Sequence, residues 1–336
     1  DQKYGLISRV RGRGDNNLYL IEMSTGKETL LTPHEGPGSF RGTLAPDGDT
    51  VYVSSNKDRD LSAFGLVRLG KGGSPGPIEI IAERGDAELA GFALTEDGSQ
   101  AVLSWNVAGR TEVSFVDLRT RKVRKGPELP GELAGSFTYS RDGRYLAMTI
   151  SGATTPQDIW ILQVGTSTFH RVTRSPHAGV DLKALIRPEL VRFPAHDGLE
   201  LSGWLYQAPG VENPGAMVLS FHGGPEGQER PRFRSDYQAL LSQGISVFAP
   251  NVRGSSGFGK KFVNLDNGEL RFDGVRDIEA CVKYVVERGV ADPKRIGIVG
   301  GSYGGYMVMA GLADSPDRFA AGANLFGVVN FETFFA

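Results

Sequence analysis

Ile296-Gly297-Ile298-Val299-Gly300-Gly301-Ser302-Tyr303-Gly304-Gly305-Tyr306 runs from a short apolar stretch, through a glycine-rich turn, into Met307-Val308-Met309-Ala310-Gly311-Leu312, which reads as helix. A buried strand that stops at a serine between glycines and resumes as a helix is a nucleophile elbow, whose sharp turn lifts the hydroxyl clear of the sheet. Glycines flank the serine because the turn is crowded and the serine backbone is strained. The helix start adds N–H groups and a positive dipole where negative charge would develop. The alternative is a glycine-rich turn with an idle serine. A second match to Gly-x-Ser-x-Gly, Gly72-Gly73-Ser74-Pro75-Gly76, lacks the strand-to-helix setting, and Pro75 has no N–H to offer an oxyanion. It reads as a linker between strands.

Outward from the elbow, strand-like runs at 199–206, 217–221, 245–250, 296–299 and 323–326 alternate with helical stretches at 235–243 and 274–288, after a short strand at 189–192. In the second helix Val275, Ile278, Val282, Val285 and Val286 share one face. Apolar strands separated by amphipathic helices predict a mostly parallel sheet covered on both sides. Residues 179–188 read as the linker in front of it, which gives two domains, 1–180 and 181–336.

The first half repeats instead. Leu44-Ala45-Pro46-Asp47-Gly48, Leu94-Thr95-Glu96-Asp97-Gly98 and Tyr139-Ser140-Arg141-Asp142-Gly143 each precede an apolar run, and the aspartates lie 50 and 45 residues apart. Asp-Gly favours a tight hairpin turn because both residues tolerate positive φ. Leu31-Thr32-Pro33-His34 and Arg174-Ser175-Pro176-His177 keep the same beat. Each unit also carries a strand-turn-strand of the type 18–21 with Thr25-Gly26-Lys27, or 159–162 with Thr166-Ser167-Thr168. A period of roughly 40–50 residues with about four short strands marks a β-propeller blade, with a β-sandwich as the alternative. About 3.5 blades are visible before residue 180, whereas closed propellers have roughly four to eight. Open sheet edges are a liability. The expectation is therefore that upstream residues are missing, or that other fragments of the same protein or a homo-oligomer supply the remaining blades.

Composition narrows the function classes. Among 336 residues, Lys and Arg total 37 and Asp and Glu 39, a net charge of −2, which excludes a basic nucleic-acid binder and a polyacidic tail, since neither sign dominates enough to recruit a partner electrostatically. The 46 glycines are about twice the roughly 7% usual share and imply many turns in a folded chain. A single cysteine, Cys281, cannot form an internal disulfide or a multi-cysteine zinc site. No run approaches the roughly 20 apolar residues of a membrane span. No secretory signal opens the chain, since Asp1-Gln2-Lys3-Tyr4 leads straight into strand-like sequence. No cofactor and no metal are expected, and the location is read as cytoplasmic.

Two further glycine-rich runs flank the chemistry. Ser220-Phe221-His222-Gly223-Gly224-Pro225 follows a strand, and its glycines let backbone approach a substrate carbonyl and aim an N–H at it. Such a loop is the second oxyanion donor, beside the N–H of the residue after the nucleophile, Tyr303. His222 reads as a brace for the turn rather than a base. Gly254-Ser255-Ser256-Gly257-Phe258-Gly259-Lys260-Lys261 nearly spells a phosphate loop, but Lys261 stands where the magnesium-binding hydroxyl belongs, and no convincing helix follows.

Phe221-His222-Gly223-Gly224-Pro225, Asn251-Val252-Arg253-Gly254-Ser255-Ser256-Gly257-Phe258-Gly259 and Gly300-Gly301-Ser302-Tyr303-Gly304-Gly305-Tyr306, in this order, resemble the prolyl oligopeptidase family of serine peptidases, and most closely its acylaminoacyl-peptidase branch. The resemblance is strong over 190–336 and weak over the repeats. It implies a β-propeller capping an α/β-hydrolase domain and restricting entry to short peptide substrates. It implies Ser302 as nucleophile, Gly223 and Tyr303 as oxyanion donors, and Val328 and Phe331 in the wall of the specificity pocket, although two apolar residues beside a sheet also suit plain core. Arg253 reads as structural.

In α/β-hydrolases the acid and the histidine follow the serine. Here His34, His170, His177, His196 and His222 all precede Ser302, and Asp314, Asp317 and Glu332 come too early to be the acid. Six hydrolase strands are visible where about eight are expected, so the last two, with the triad Asp and His, are absent from this chain. A serine without its base is an ordinary alcohol, so these residues alone are predicted to be inactive. An esterase on the same fold, or a catalytically dead propeller-hydrolase acting as an interaction module, remain the alternatives.

Overall fold

The structure is a computed structural model that describes residues 3–12 and 14–335. Asp1, Gln2, Arg13 and Ala336, which the two expected domain ranges include, lie outside the described residues. The chain divides into two compact units: 1–151, 157–176 and 257–260 in the first, and 152–156, 177–256 and 261–336 in the second. The division falls after Pro176, and no change of composition marks the two short exchanged pieces.

In the first unit consecutive strands lie side by side in four small sheets. The first holds β1 (Tyr4–Gly12), β2 (Asp15–Glu22) and β3 (Glu28–Leu30); the second β4 (Phe40–Leu44), β5 (Thr50–Ser55), β6 (Ala63–Leu69) and β7 (Pro75–Ala82). The third holds β8 (Glu88–Leu94), β9 (Gln100–Val107), β10 (Arg110–Asp117) and β11 (Val123–Lys125); the fourth β12 (Leu133–Tyr139), β13 (Tyr145–Gly152), β14 (Thr155–Gln163) and β15 (Thr168–Arg171). Strand periodicity explains the packing. Along β5, Val51 and Val53 enter a core with Leu18, Leu20 and Phe40, while Tyr52 between them enters the next with Phe64, Leu103 and Trp105. A third core joins Val102 and Phe115 to Leu146, Met148 and Ile150. Each such fully buried side chain contributes roughly 1.5–3 kcal/mol.

In the repeated Asp-Gly turns only the glycine uses its tolerance of positive φ. Gly48, Gly98 and Gly143 have φ of 73°, 67° and 67°, but the preceding aspartates stay out of the left-handed region. Asp47, Asp97 and Asp142 instead accept hydrogen bonds from the amides of Asp49, Ser99 and Arg144 at 3.0, 3.0 and 3.1 Å. The aspartate serves through its carboxylate, and only glycine reverses the chain.

The second unit is built on one six-stranded sheet in the order β16-β17-β19-β18-β20-β21. Its strands are β16 (Glu189–Pro194), β17 (Glu200–Tyr206), β18 (Gly215–Phe221), β19 (Ser246–Asn251), β20 (Ala291–Gly301) and β21 (Ala321–Leu325). Its helices are α1 (Ser235–Ser242), α2 (Lys260–Val263), α3 (Arg271–Glu287), α4 (Tyr303–Asp314) and α5 (Phe331–Phe335). A short helix does therefore start inside the phosphate-loop-like run. The sheet is mostly parallel, as expected, with one reversed strand: β17 runs antiparallel to β16 and β19, and β19, β18, β20 and β21 are parallel. An apolar run reads the same in either direction, so composition could not reveal this. Val275, Ile278, Val282 and Val285 of α3 and Met307 and Val308 of α4 bury with Leu219, Phe248 and Ile298, whereas Tyr237 and Leu241 of α1 bury with Trp204, Tyr206 and Val247.

Candidate active site

The chain leaves β18 for α1 on one side and returns through β19 and α3 to β20 on the other, so β18 lies between β19 and β20. Ligands of open α/β sheets bind at the carboxyl ends of strands where the order reverses in this way. Phe221, Asn251 and Gly301 end these three strands, so the loops they open share one edge.

Ser302 stands between β20 and α4 with φ 55° and ψ −120°, a conformation that costs a non-glycine residue about 1–3 kcal/mol. It is exposed. Its carbonyl accepts from the amides of Gly305 and Tyr306 at 3.0 and 3.2 Å, and its amide donates to Leu325 at 3.2 Å. A Cβ on Gly300 would collide with the backbone of Gly304, and one on Gly304 with the carbonyl of Phe221. The two glycines are thus what lets strand, turn and helix close. Tyr303 is the first residue of α4, so its N–H has no acceptor inside the helix.

The loop after β18 reaches this turn. A Cβ on Gly223 would lie 3.4 Å from Ser302 Cβ and 3.9 Å from its Oγ, so any side chain at this position would sit in contact with the serine. Gly223, Ser302 and Tyr303, singled out from sequence, are therefore brought together. His222 turns away: Nδ1 donates to Gly223 O at 2.8 Å, and Nε2 lies 2.9 Å from Ser255 Oγ. Burial pushes its pKa down. The brace read from sequence is the geometry seen.

Behind the elbow the phenol of Tyr303 donates to Asp266 Oδ1 at 2.7 Å, and burial pushes that phenol's pKa up. Arg271 lies over the rings of Tyr303 and Phe331, at 5.8 and 4.6 Å from their centroids. Val328 N donates to Ser302 O at 3.3 Å, and the Phe331 ring packs edge-on against Tyr306 at 5.3 Å. Both are partly buried. Arg253 is closed off by Asp277 and Asp197, in keeping with a structural role.

The other histidines are engaged elsewhere. His34 bridges Thr32 O and Asp15, His177 bonds Val180 O, His196 faces Asp273 at 3.5 Å, and His170 lies in β15. His177 groups with the second unit, not with the repeats that its sequence position suggested. Among the described residues no cluster of three or more His, Cys, Asp or Glu could hold a metal ion, and no helix is long and apolar enough to cross a membrane. Sequence reasoning missed Asp266, Arg271, Trp204 and Glu229 as supports, because nothing local marks them.

The sheet order, the strained serine and the glycine loop beside it define a class: an α/β protein that presents a serine on a nucleophile elbow. Residues 231–336 match the sequence model described as the Prolyl oligopeptidase family. It is 28% identical over 303 residues to Dipeptidyl aminopeptidase BIII of Pseudoxanthomonas mexicana, a match covering 87% of this chain and 43% of that protein. It is 34% identical over 107 residues to an acylamino-acid-releasing enzyme of Arabidopsis thaliana, covering 32% of this chain and 14% of that protein. A solved puromycin-hydrolyzing peptidase of Mycobacterium tuberculosis superposes with a TM-score of 0.82 at 22% identity, over 96% of this chain and 50% of the other, a likeness of fold. The chain spans less than half the length of the curated relatives it matches.

Proposed function

We propose that the chain is the nucleophile-bearing part of a serine peptidase that cleaves short peptides through an acyl-enzyme, of the dipeptidyl or acylaminoacyl type. The first unit is read as part of a β-propeller and the second as the N-terminal part of an α/β-hydrolase domain. The observation that carries the reading is Ser302, strained at φ 55° between β20 and α4, with Gly223 next to it where a Cβ would touch the serine.

In this reading Ser302 Oγ attacks the substrate carbonyl carbon as a base takes its proton. The carbonyl oxygen gains the negative charge and accepts hydrogen bonds from the N–H groups of Gly223 and Tyr303 at the α4 N-terminus. The base then passes its proton to the leaving amine, the C–N bond breaks, and water releases the acyl group. Val328 and Phe331, beside the elbow, are assigned to the wall of the side-chain pocket.

The base is not among the five histidines, each of which precedes Ser302. The proposal therefore includes the inactivity of these 336 residues on their own, since losing the histidine of such a triad costs roughly 10⁶ in kcat. A fluorophosphonate probe tests both parts. Full-length protein should be labelled at Ser302 and Ser302→Ala should not, while the isolated 336 residues should resist labelling. An unlabelled full-length protein would favour an interaction module. Faster turnover of p-nitrophenyl esters than of peptide anilides would favour an esterase.

A further inference from the structure

Residues 251–256 take no part in the chemistry above, yet they hold the oxyanion loop at four points. Asn251 pairs with Glu229 as a neighbouring strand would: Oδ1 accepts from Glu229 N at 2.7 Å, and Nδ2 donates to Glu229 O at 3.1 Å. Trp204 Nε1 donates to the same carbonyl at 3.1 Å. Ser256 N donates to Gly227 O at 2.9 Å, and Gly254 packs on Pro225, where a Cβ would come within 3.1 Å. Ser255 Oγ lies 2.9 Å from His222 Nε2 and 2.6 Å from Val252 O. Asn251 is 1% exposed and Ser255 0%, so water replaces none of these bonds.

The imidazole of His222 joins Ser255 to Gly223. Gly223 O can only accept, so the ring proton must be on Nδ1. Nε2 faces the Ser255 hydroxyl at 2.9 Å, and that hydroxyl donates to Val252 O at 2.6 Å, so Ser255 links the ring to the backbone just beyond β19. Were the proton on Nε2, two acceptors would face each other across 2.8 Å at Gly223 O.

We propose that Ser255 and Asn251 are positioning residues for the oxyanion donor: Ser255 holds the His222 ring that grips the Gly223 peptide, and Asn251 anchors the loop's far end at Glu229. This rests on the reading of Ser302 as nucleophile and Gly223 as donor.

The test uses the full-length protein with Ser255→Ala, its hydroxyl-retaining control Ser255→Thr, and Asn251→Asp, which keeps the acceptor for Glu229 N but loses the donor to Glu229 O. Steady-state kinetics on a peptide anilide, the rate of fluorophosphonate labelling and the thermal midpoint are read together. Ser255→Ala should lower kcat and the labelling rate about 10- to 100-fold, somewhat less than the outright loss of an oxyanion donor. KM should stay within about twofold and the midpoint near that of the wild type, as expected of an interaction made only in the transition state. Asn251→Asp should act in the same direction, and Ser255→Thr should recover most of the labelling rate. Wild-type rates in both Ser255→Ala and Asn251→Asp, or losses that only track the thermal midpoint, would overturn the positioning role. Absence of labelling in the wild type would instead overturn the nucleophile reading itself.

Discussion

Arg253 and Asp277 form a two-bond pair inside the second unit, Nε donating to Oδ2 and Nη2 to Oδ1, both at 2.9 Å, with the side chains 3% and 0% exposed. The backbone N–H of Arg253 donates to the same carboxylate at 3.0 Å. Removing Arg253 strands the Asp277 carboxylate in the interior. Arg253→Met should therefore destabilise by about 3–5 kcal/mol in urea unfolding, whereas Arg253→Met with Asp277→Leu should recover much of that loss.

Asp197 takes the outer side of the same guanidinium, and the hydrogen bonds from Arg253 hold its pKa down at about 2. A carboxylate with a lower pKa folded than unfolded adds stability that is fully present above roughly pH 4 and is lost as pH falls toward the folded value. The difference in stability between wild type and Asp197→Asn should thus be constant near neutrality and vanish only as pH falls below the folded value. Denaturant midpoints across that window measure it.

Glu229 has the opposite sign. Burial raises its pKa to about 7, against the pull of Arg234 at 3.8 Å. Its protonated form is the one the fold prefers, so full stability is present below the usual carboxylate range and is lost as pH rises toward about 7. Glu229→Gln should gain on the wild type between pH 4 and 8, by an amount on the order of 3 kcal/mol. A profile that stays parallel to the wild type would show that the carboxyl titrates normally.

Ser302 holds a conformation that glycine adopts without penalty. Ser302→Gly should raise the unfolding free energy by about 1 kcal/mol while abolishing fluorophosphonate labelling. The reactive serine would then be a site where stability is given up for geometry.

Two glycines of the site should fail in different ways. A Cβ on Gly304 meets fixed backbone at Phe221, so Gly304→Ala should prevent the elbow from closing and cost several kcal/mol, on the order of 3 or more. At Gly223 the nearest atoms are at 3.4 Å, ordinary contact, so Gly223→Ala should fold normally. Its methyl would fill the space over Ser302 and lower kcat/KM about 100-fold or more. Circular dichroism with labelling kinetics separates the two.

Much of this site was legible because its signals are local. Strand, glycine turn and helix around Ser302 follow one another in the chain, and the six strands and two main helices of the second unit carry their own periodicity. The supports were not legible. Tyr303 and Asp266 are 37 residues apart and Asn251 and Glu229 22 apart, and no spacing rule joins them. The aspartates of the repeated turns show a subtler gap: position was readable, but not that the carboxylate rather than the backbone earns the residue its place.

By itself the sequence determined where strands and helices run, which serine sits on an elbow, and which glycines must stay bare, since these depend on a few neighbouring residues and their steric limits. Only the tertiary structure decided the order β19-β18-β20, which brings the ends of three strands to one edge and sets Gly223 beside Ser302. It alone decided that Asn251 and Ser255 brace that loop, because a buried hydrogen bond is chosen by which partner lies within about 3 Å after the sheet has formed, not by distance along the chain.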